Sequence, residues 1–139
     1  MKKNFLSVDL TPNLKLKNPI MIASGTFGYD GYGKGILGNP DFDLNKLGAI
    51  IPKTVTYKPR EGNLEPRWYP KSYREAIENK EEDHFFLNSI GLTNPGIEKA
   101  LSDLAPIWEK ELKDTVVILS ISAESVDQFG EMVKMTNGV

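Results

Sequence analysis

Residues 19–25 read PIMIASG, an unbroken apolar run that closes on Ser24-Gly25. A continuous run of this kind, without alternation, predicts a strand buried on both faces in a parallel sheet. Two further runs, residues 49–55 and 116–121, have the same character. Between them Ile97, Ala100, Leu101, Leu104, Ile107 and Trp108 recur at three- and four-residue spacing, which predicts a helix over 96–112. Asn94 is its expected N-cap, Pro95 its first helical residue, and Pro106 should kink or split it near Ala105. Val126, Phe129, Met132 and Val133 predict a further amphipathic helix, opened by Ser125 and closed by Asn137-Gly138. A short helix is expected near 44–47. Pro52 donates no ladder hydrogen bond, so a bulge or strand end is predicted there.

Upstream, residues 5–10 and 14–17 alternate around Thr11-Pro12-Asn13, which is turn chemistry, and predict a small β-hairpin. Buried strands alternating with amphipathic helices make βαβ units. The fold class is therefore α/β. A sheet of only three parallel strands would leave both outer strands unpaired, so residues 1–139 read as one partial domain, the first part of a larger sheet or barrel. Within the long segment after the second run, Ser72-Tyr73-Arg74-Glu75 is a capping box that predicts an exposed helix over 73–82. The charge-rich residues 78–84 read as its solvated face. Residues 87–96, LNSIGLTNPG, fit neither a helix nor a strand pattern.

Composition excludes several functions. The 139 residues are 40% hydrophobic and 26% charged with a net charge of −2, so no basic surface for nucleic acid or anionic membrane is expected. With no cysteine, disulfides, thiolate metal sites and a cysteine nucleophile are absent from these residues. The N-terminus, MKKNFLSVDL, meets Ser7 and Asp9 before any apolar core, which does not read as a signal peptide, and the expected compartment is the cytoplasm.

Residues 33–38, GKGILG, match G-x-G-x-x-G as letters, but no strand precedes them directly and Asn39-Pro40-Asp41 follows, so they read as a glycine loop. Ala23-Ser24-Gly25 ends the first run, where α/β folds place ligands and where a residue without Cβ admits a flat ligand, although a plain turn has the same composition. Lys53-Thr54 puts an ammonium group at the end of the second run, as either a ligand contact or a snorkelling lysine. His84 is the sole histidine and reads as a surface residue, with no metal site anywhere. Glu61 and Glu65, near Arg60 and Arg67, read as loop salt bridges.

The series PIMIASGTFGY, LGAIIPKTVTYKPREGNLEPR, LNSIGLTNPG and VVILSIS resembles the class 1 dihydroorotate dehydrogenases, in particular the NAD-linked branch, from Leu6 onward. The resemblance implies a (β/α)8 TIM barrel, of which these residues would supply about three β/α units plus a bottom hairpin at 5–17. It implies FMN-dependent oxidation of dihydroorotate to orotate in pyrimidine (UMP) biosynthesis. Carried over by position, Ala23, Ser24, Gly25, Lys53, Thr54 and Ser120 are expected at the cofactor, and Lys53, Asn88, Ser89, Ile90, Gly91 and Leu92 at the substrate. The NAD-linked branch further implies a partner subunit carrying FAD and an iron-sulfur cluster, and homodimerisation of the catalytic chain. The sequence departs from the family at three points. Ser120 stands where the family has an asparagine, residues 68–86 form a longer loop, and the cysteine base of an Asn-x-Ser-Cys-Pro-Asn motif is expected beyond Val139. A barrel of this kind takes about 250 residues, so the isolated chain is expected neither to hold FMN tightly nor to turn over dihydroorotate. Two other readings remain open at this stage: a flavin barrel of the dihydropyrimidine dehydrogenase type, and a non-catalytic half-barrel.

Overall fold

A computed structural model describes residues 6–31, 36, 37, 39, 41–69 and 87–137. The expected helix at 73–82, His84, most of the glycine-rich 33–38 segment and nearly all of the 68–86 loop lie outside the described residues. The chain is α/β, with parallel strands alternating with helices and two antiparallel pairs beside them.

The hairpin is β1 (Val8–Thr11) and β2 (Leu14–Leu16), joined at Pro12-Asn13. The three apolar runs form a parallel sheet in chain order: β3 (Met21–Ile22), β4 (Ala49–Ile50) and, after β5 (Val55–Thr56), β8 (Val116–Val117). β5 resumes the second run and pairs in parallel with β9 (Ile121–Ser122), which resumes the third. Between the two paired segments lie residues 51–54 on one side and 118–120 on the other, so the second run carries one extra residue. That is a bulge, and the fully buried Pro52 sits in it. The first run departs from expectation, because Ile20 is 61% and Met21 44% exposed. The physical reason is its place: among the described residues β3 is an edge strand of the sheet, with a neighbour on one side only.

The helix over 96–112 forms in three pieces: α1 (Ile97–Lys99), a π turn (Ala100–Leu104) and α2 (Ala105–Glu111). Pro106 has no N–H for the carbonyl four residues back and its ring crowds that carbonyl. The helix accommodates it by widening the preceding turn, where the Ala105 N–H reaches back five residues to the Ala100 carbonyl. The cap differs from the expected one. The helix begins at Ile97 with Gly96 as N-cap, and Pro95 lies outside it. Asn94 is drawn away because its side chain is buried against β5, as described below. α3 (Val126–Met135) opens at Ser125, whose hydroxyl accepts the Gln128 N–H at 3.2 Å.

Two apolar clusters fill the space between sheet and helices. One gathers Phe27, Leu44, Ile50, Trp108 and Leu112; the other gathers Val55, Ile97, Ala100 and Met132. The Trp108 indole N–H is satisfied by the Tyr29 carbonyl at 2.7 Å. At the N-terminal ends of the parallel strands a polar clasp holds the hairpin. The Lys17 ammonium donates to the Asn45 and Asp114 carbonyls, and Asn45 bridges to the Glu111 carbonyl and the Asp114 N–H at 3.0 Å each. The Thr115 hydroxyl closes it on the Leu44 and Leu47 carbonyls. Asn45 lies in a single 3-10 turn (Leu44–Lys46) capped by Asp43.

Met132 is fully buried in the second cluster, whereas Val133 on the next position is half exposed. Met132→Ala is therefore expected to lower the stability measured by chemical denaturation by about 2–5 kcal/mol. Val133→Ala should stay within about 0.5 kcal/mol of the parent.

Candidate functional site

The ligand-bearing residues expected from the sequence collect at the C-terminal ends of the parallel strands. The ladder runs one rung past β3, with the Ile51 N–H donating to the Ile22 carbonyl at 2.9 Å. The chain then turns, the Thr26 N–H closing on the Ala23 carbonyl, and the Gly28 carbonyl accepts the Lys53 N–H at 2.7 Å. This folds residues 23–28 over the bulge, so Ala23, Ser24, Gly25 and Lys53 share one end of the sheet. Ala23 and Gly25 are exposed, and among the described residues a Cβ built on Gly25 would meet nothing within 4 Å, which leaves room there for a flat ligand.

Lys53 and Thr54 both belong to the bulge, a device that re-aims side chains next to sites. Among the described residues no carboxylate lies within ion-pair distance of the half-buried Lys53 ammonium. Thr54 meets Ser120, the two hydroxyl oxygens 2.8 Å apart, and the Ser120 carbonyl accepts the Val55 N–H at 3.0 Å. Ser120, shorter than an asparagine, thus spends one hydrogen bond on Thr54. Each hydroxyl retains further lone pairs for a ligand.

Residues 87–94 are not the irregular stretch their composition predicts. Leu87–Asn88 is a strand, β7, paired antiparallel with β6 (Trp68–Tyr69), and the pairing continues irregularly down both chains. The Ser89 N–H donates to the Arg67 carbonyl at 2.8 Å and the Asn63 N–H to the Ile90 carbonyl at 3.0 Å. Arg60 and Asn94 exchange both main-chain bonds at 2.9 Å. The result is a ribbon of two antiparallel segments, 60–69 and 87–94. The ion pairs along it differ from expectation in one partner. Glu65 meets Arg67 at 3.2 Å without hydrogen-bond alignment at Nε, while Arg60 reaches Glu124 at 3.9 Å rather than Glu61. Glu124 follows β9, so this second pair ties the ribbon to the sheet. The Arg60–Glu124 pair is solvent-exposed and contributes little stability, whereas in the other pair Glu65 is exposed and Arg67 is partly buried.

Asn94 anchors the ribbon. Its carboxamide, in a residue only 6% exposed, accepts the Thr56 and Gly96 N–H groups at 2.9 Å each and donates to the Thr56 hydroxyl at 2.8 Å and the Leu92 carbonyl at 2.7 Å. The end of β5, the start of the helix and the base of the loop therefore meet on one side chain. No hydrogen bond or ion pair joins residues 88–92 to Lys53 among the described residues. Their connection runs through Asn94 and Thr56.

The polar groups of residues 89–92 divide largely into paired carbonyls and N–H groups without an acceptor among the described residues. The carbonyls of Ser89, Ile90 and Leu92 all accept bonds from within the ribbon. Among the described residues the N–H groups of Ile90, Gly91 and Leu92 have no acceptor. Gly91 and Leu92 both have positive φ, 77° and 54°. A turn that leaves neighbouring N–H groups without acceptors offers donors that suit an anion such as a carboxylate. Leu92 holds a conformation that side chains avoid, and strain of this sort collects at ligand clamps. Sequence reasoning missed Asn63, which faces this segment; the only signal was its place in the turn dipeptide Gly62-Asn63.

Beyond β5 and β9 a polar cavity of about 240 Å³ opens between Thr56, Tyr57, Arg60, Ser122, Glu124 and Gln128. A hydrogen bond to the Glu131 carboxylate, aided by that group's charge, raises the Tyr57 hydroxyl above its ordinary value of 10.0. Among the described residues no cluster of histidines and carboxylates forms a metal site, and no helix is long and apolar enough to cross a membrane.

The family model described as "Dihydroorotate dehydrogenase" matches residues 6–138. The chain is 42% identical over 122 residues to "Dihydroorotate dehydrogenase B (NAD(+)), catalytic subunit" of Thermoanaerobacter pseudethanolicus, covering 87% of this chain and 34% of that protein. It is 43% identical over 116 residues to the protein of the same description from Carboxydothermus hydrogenoformans, covering 84% and 32%. With "Dihydroorotate dehydrogenase A (fumarate)" of Lactobacillus helveticus the identity is 36% over 123 residues, covering 88% and 35%. The chain spans about a third of the length of these relatives.

Removing the Asn94 carboxamide would leave the buried Thr56 and Gly96 N–H groups unmet. Asn94→Ala should cost about 2–4 kcal/mol in a denaturation experiment. A raised tyrosine value has a definite sign: the Tyr57–Glu131 bond stabilises the fold fully below the ordinary tyrosine range and is lost as pH rises through the raised value. Phenolate absorbance, read as parent minus Tyr57→Phe, should therefore titrate above 10.0, and Glu131→Gln should bring it down.

Proposed function

Because the chain belongs to the dihydroorotate dehydrogenase family, we propose that the full-length protein carrying it oxidises dihydroorotate to orotate in pyrimidine biosynthesis. In this reading the described residues are the first β/α units and the bottom hairpin of a (β/α)8 barrel. The observation that carries it is the gathering of Ala23, Ser24, Gly25, Lys53, Thr54 and Ser120 at the C-terminal ends of parallel strands, the face where barrel enzymes place their chemistry.

The residues present suit FMN, which when bound supplies the acceptor for the hydride taken from the substrate. The open backbone at Gly25 admits a flat ring from one side, and the Thr54 and Ser120 hydroxyls offer it hydrogen bonds. Lys53 brings a cation without a protein counter-ion among the described residues. It would complement the negative charge that develops on a reduced flavin and the carboxylate of the substrate. Residues 88–92 would receive the other end of the substrate: the Asn88 amide has a donor and an acceptor for a pyrimidine edge, and the N–H groups of residues 90–92, without an acceptor among the described residues, would take the carboxylate. Together these groups bind and orient; the proton-abstracting base is assigned to the remainder of the barrel.

Higher identity to the NAD(+)-type catalytic subunits than to the fumarate type supports the NAD-linked branch. On that reading electrons leave through a partner subunit carrying FAD and an iron-sulfur cluster, the catalytic chain forms a homodimer, and the enzyme works in the cytoplasm.

The test is the purified full-length protein. It should show flavin absorbance and reduce its flavin with dihydroorotate, and Lys53→Ala should lower kcat/KM by about 10²- to 10³-fold. A flavin-free full-length protein, or one that oxidises dihydrouracil and leaves dihydroorotate untouched, would overturn the proposal.

A further inference from the structure

From the ribbon geometry we infer that Asn63 is a positioning residue for substrate, holding residues 89–91 so that their N–H groups stay free for it; this rests on the function proposed above. Asn63 lies on the opposite segment of the ribbon, outside the stretch expected to touch substrate. Its Nδ2 donates to the Ser89 carbonyl at 3.0 Å and to the Ser89 hydroxyl at 2.7 Å. Its main-chain N–H donates to the Ile90 carbonyl at 3.0 Å. One residue thus occupies two successive carbonyls and a side chain of the loop.

The consequence is directional. A peptide group has its carbonyl and N–H on opposite sides, so tying the Ser89 and Ile90 carbonyls toward Asn63 turns the N–H groups of Ile90 and Gly91 the other way. These are the groups left without an acceptor among the described residues. Steric fit adds to the hydrogen bonds. A Cβ on Gly91 would lie 2.6 Å from the Asn63 nitrogen, and one on Gly62 would lie 2.3 Å from the Ile90 carbonyl oxygen. The two segments are in contact at backbone distance, and both glycines have positive φ. Such close approach leaves little room for the loop to settle nearer to Asn63.

A side chain acting this way touches neither substrate nor cofactor. Its removal should loosen the loop and raise the entropy lost on binding, which weakens ground-state and transition-state binding together and so appears in KM rather than kcat. Asn63 is exposed and its side-chain bonds are at the surface, so its loss should barely move global stability.

The experiment compares Asn63→Ala and Asn63→Asp with the parent in the full-length holoenzyme. The aspartate is close in size but cannot donate to the Ser89 carbonyl. Both variants should raise the orotate Kd and the dihydroorotate KM by about tenfold, the equivalent of one or two neutral hydrogen bonds. They should keep kcat within about threefold, with flavin content and Tm unchanged. Unchanged KM and Kd in both variants would overturn the inference, as would a loss of flavin or a fall in Tm parallel to the loss of binding. A parent enzyme that neither binds orotate nor oxidises dihydroorotate would sink the proposed function instead, which separates the two failures.

Discussion

Three separate parts of the chain converge on the carboxamide of Asn94, and the arrangement of the candidate site follows from that convergence. The oxygen takes the N–H groups of Thr56 and Gly96, and the nitrogen gives its protons to the Thr56 hydroxyl and the Leu92 carbonyl. Buried polar groups must be paired, and here one side chain pairs four of them. A strand end, a helix start and a loop with unusual backbone angles are thereby held in register. The loop whose N–H groups lack acceptors among the described residues carries a strained Leu92, and it is held at its base by Asn94 as well as from behind by Asn63.

The two ends of the parallel strands are built on opposite principles. At the N-terminal ends, Lys17, Asn45 and Thr115 satisfy one carbonyl after another, so that hairpin, turn and helix end form a closed polar clasp. At the C-terminal ends the polar groups are left partly unspent: a lysine without a counter-ion among the described residues, two hydroxyls sharing one bond, and N–H groups at residues 90–92 without an acceptor among the described residues. The first arrangement supplies stability and the second supplies binding capacity. The bulge around Pro52 marks the transition, since a single extra residue ends regular pairing where Lys53 and Thr54 begin.

Much of this was legible in the residues. Three unbroken apolar runs and two periodic ones determined parallel strands alternating with helices, and Pro52 and Pro106 marked the places where strand and helix depart from regularity. What those departures look like was not legible. Pro106 only forbids a normal helical turn, and the choice of a π turn depends on packing against the sheet. The exposure of Ile20 and Met21 is likewise a property of position at an edge, not of composition. The stretch 87–96 was misread as pattern-free because its strand, β7, has no regular alternation and is defined by its partner.

Local chemistry by itself therefore determined the class of fold, the hairpin, the capping of α3 by Ser125 and, through its motifs, the family. Each of these depends on residues near one another in the chain, where spacing and backbone preference act directly. The tertiary structure alone decided that Thr54 and Ser120 share a hydrogen bond across 66 positions, that Asn94 serves three elements instead of capping one, and that Asn63 stands behind the loop. An asparagine carries the same donor and acceptor in every setting. Which groups it reaches is settled only when distant segments are brought within 3 Å of it.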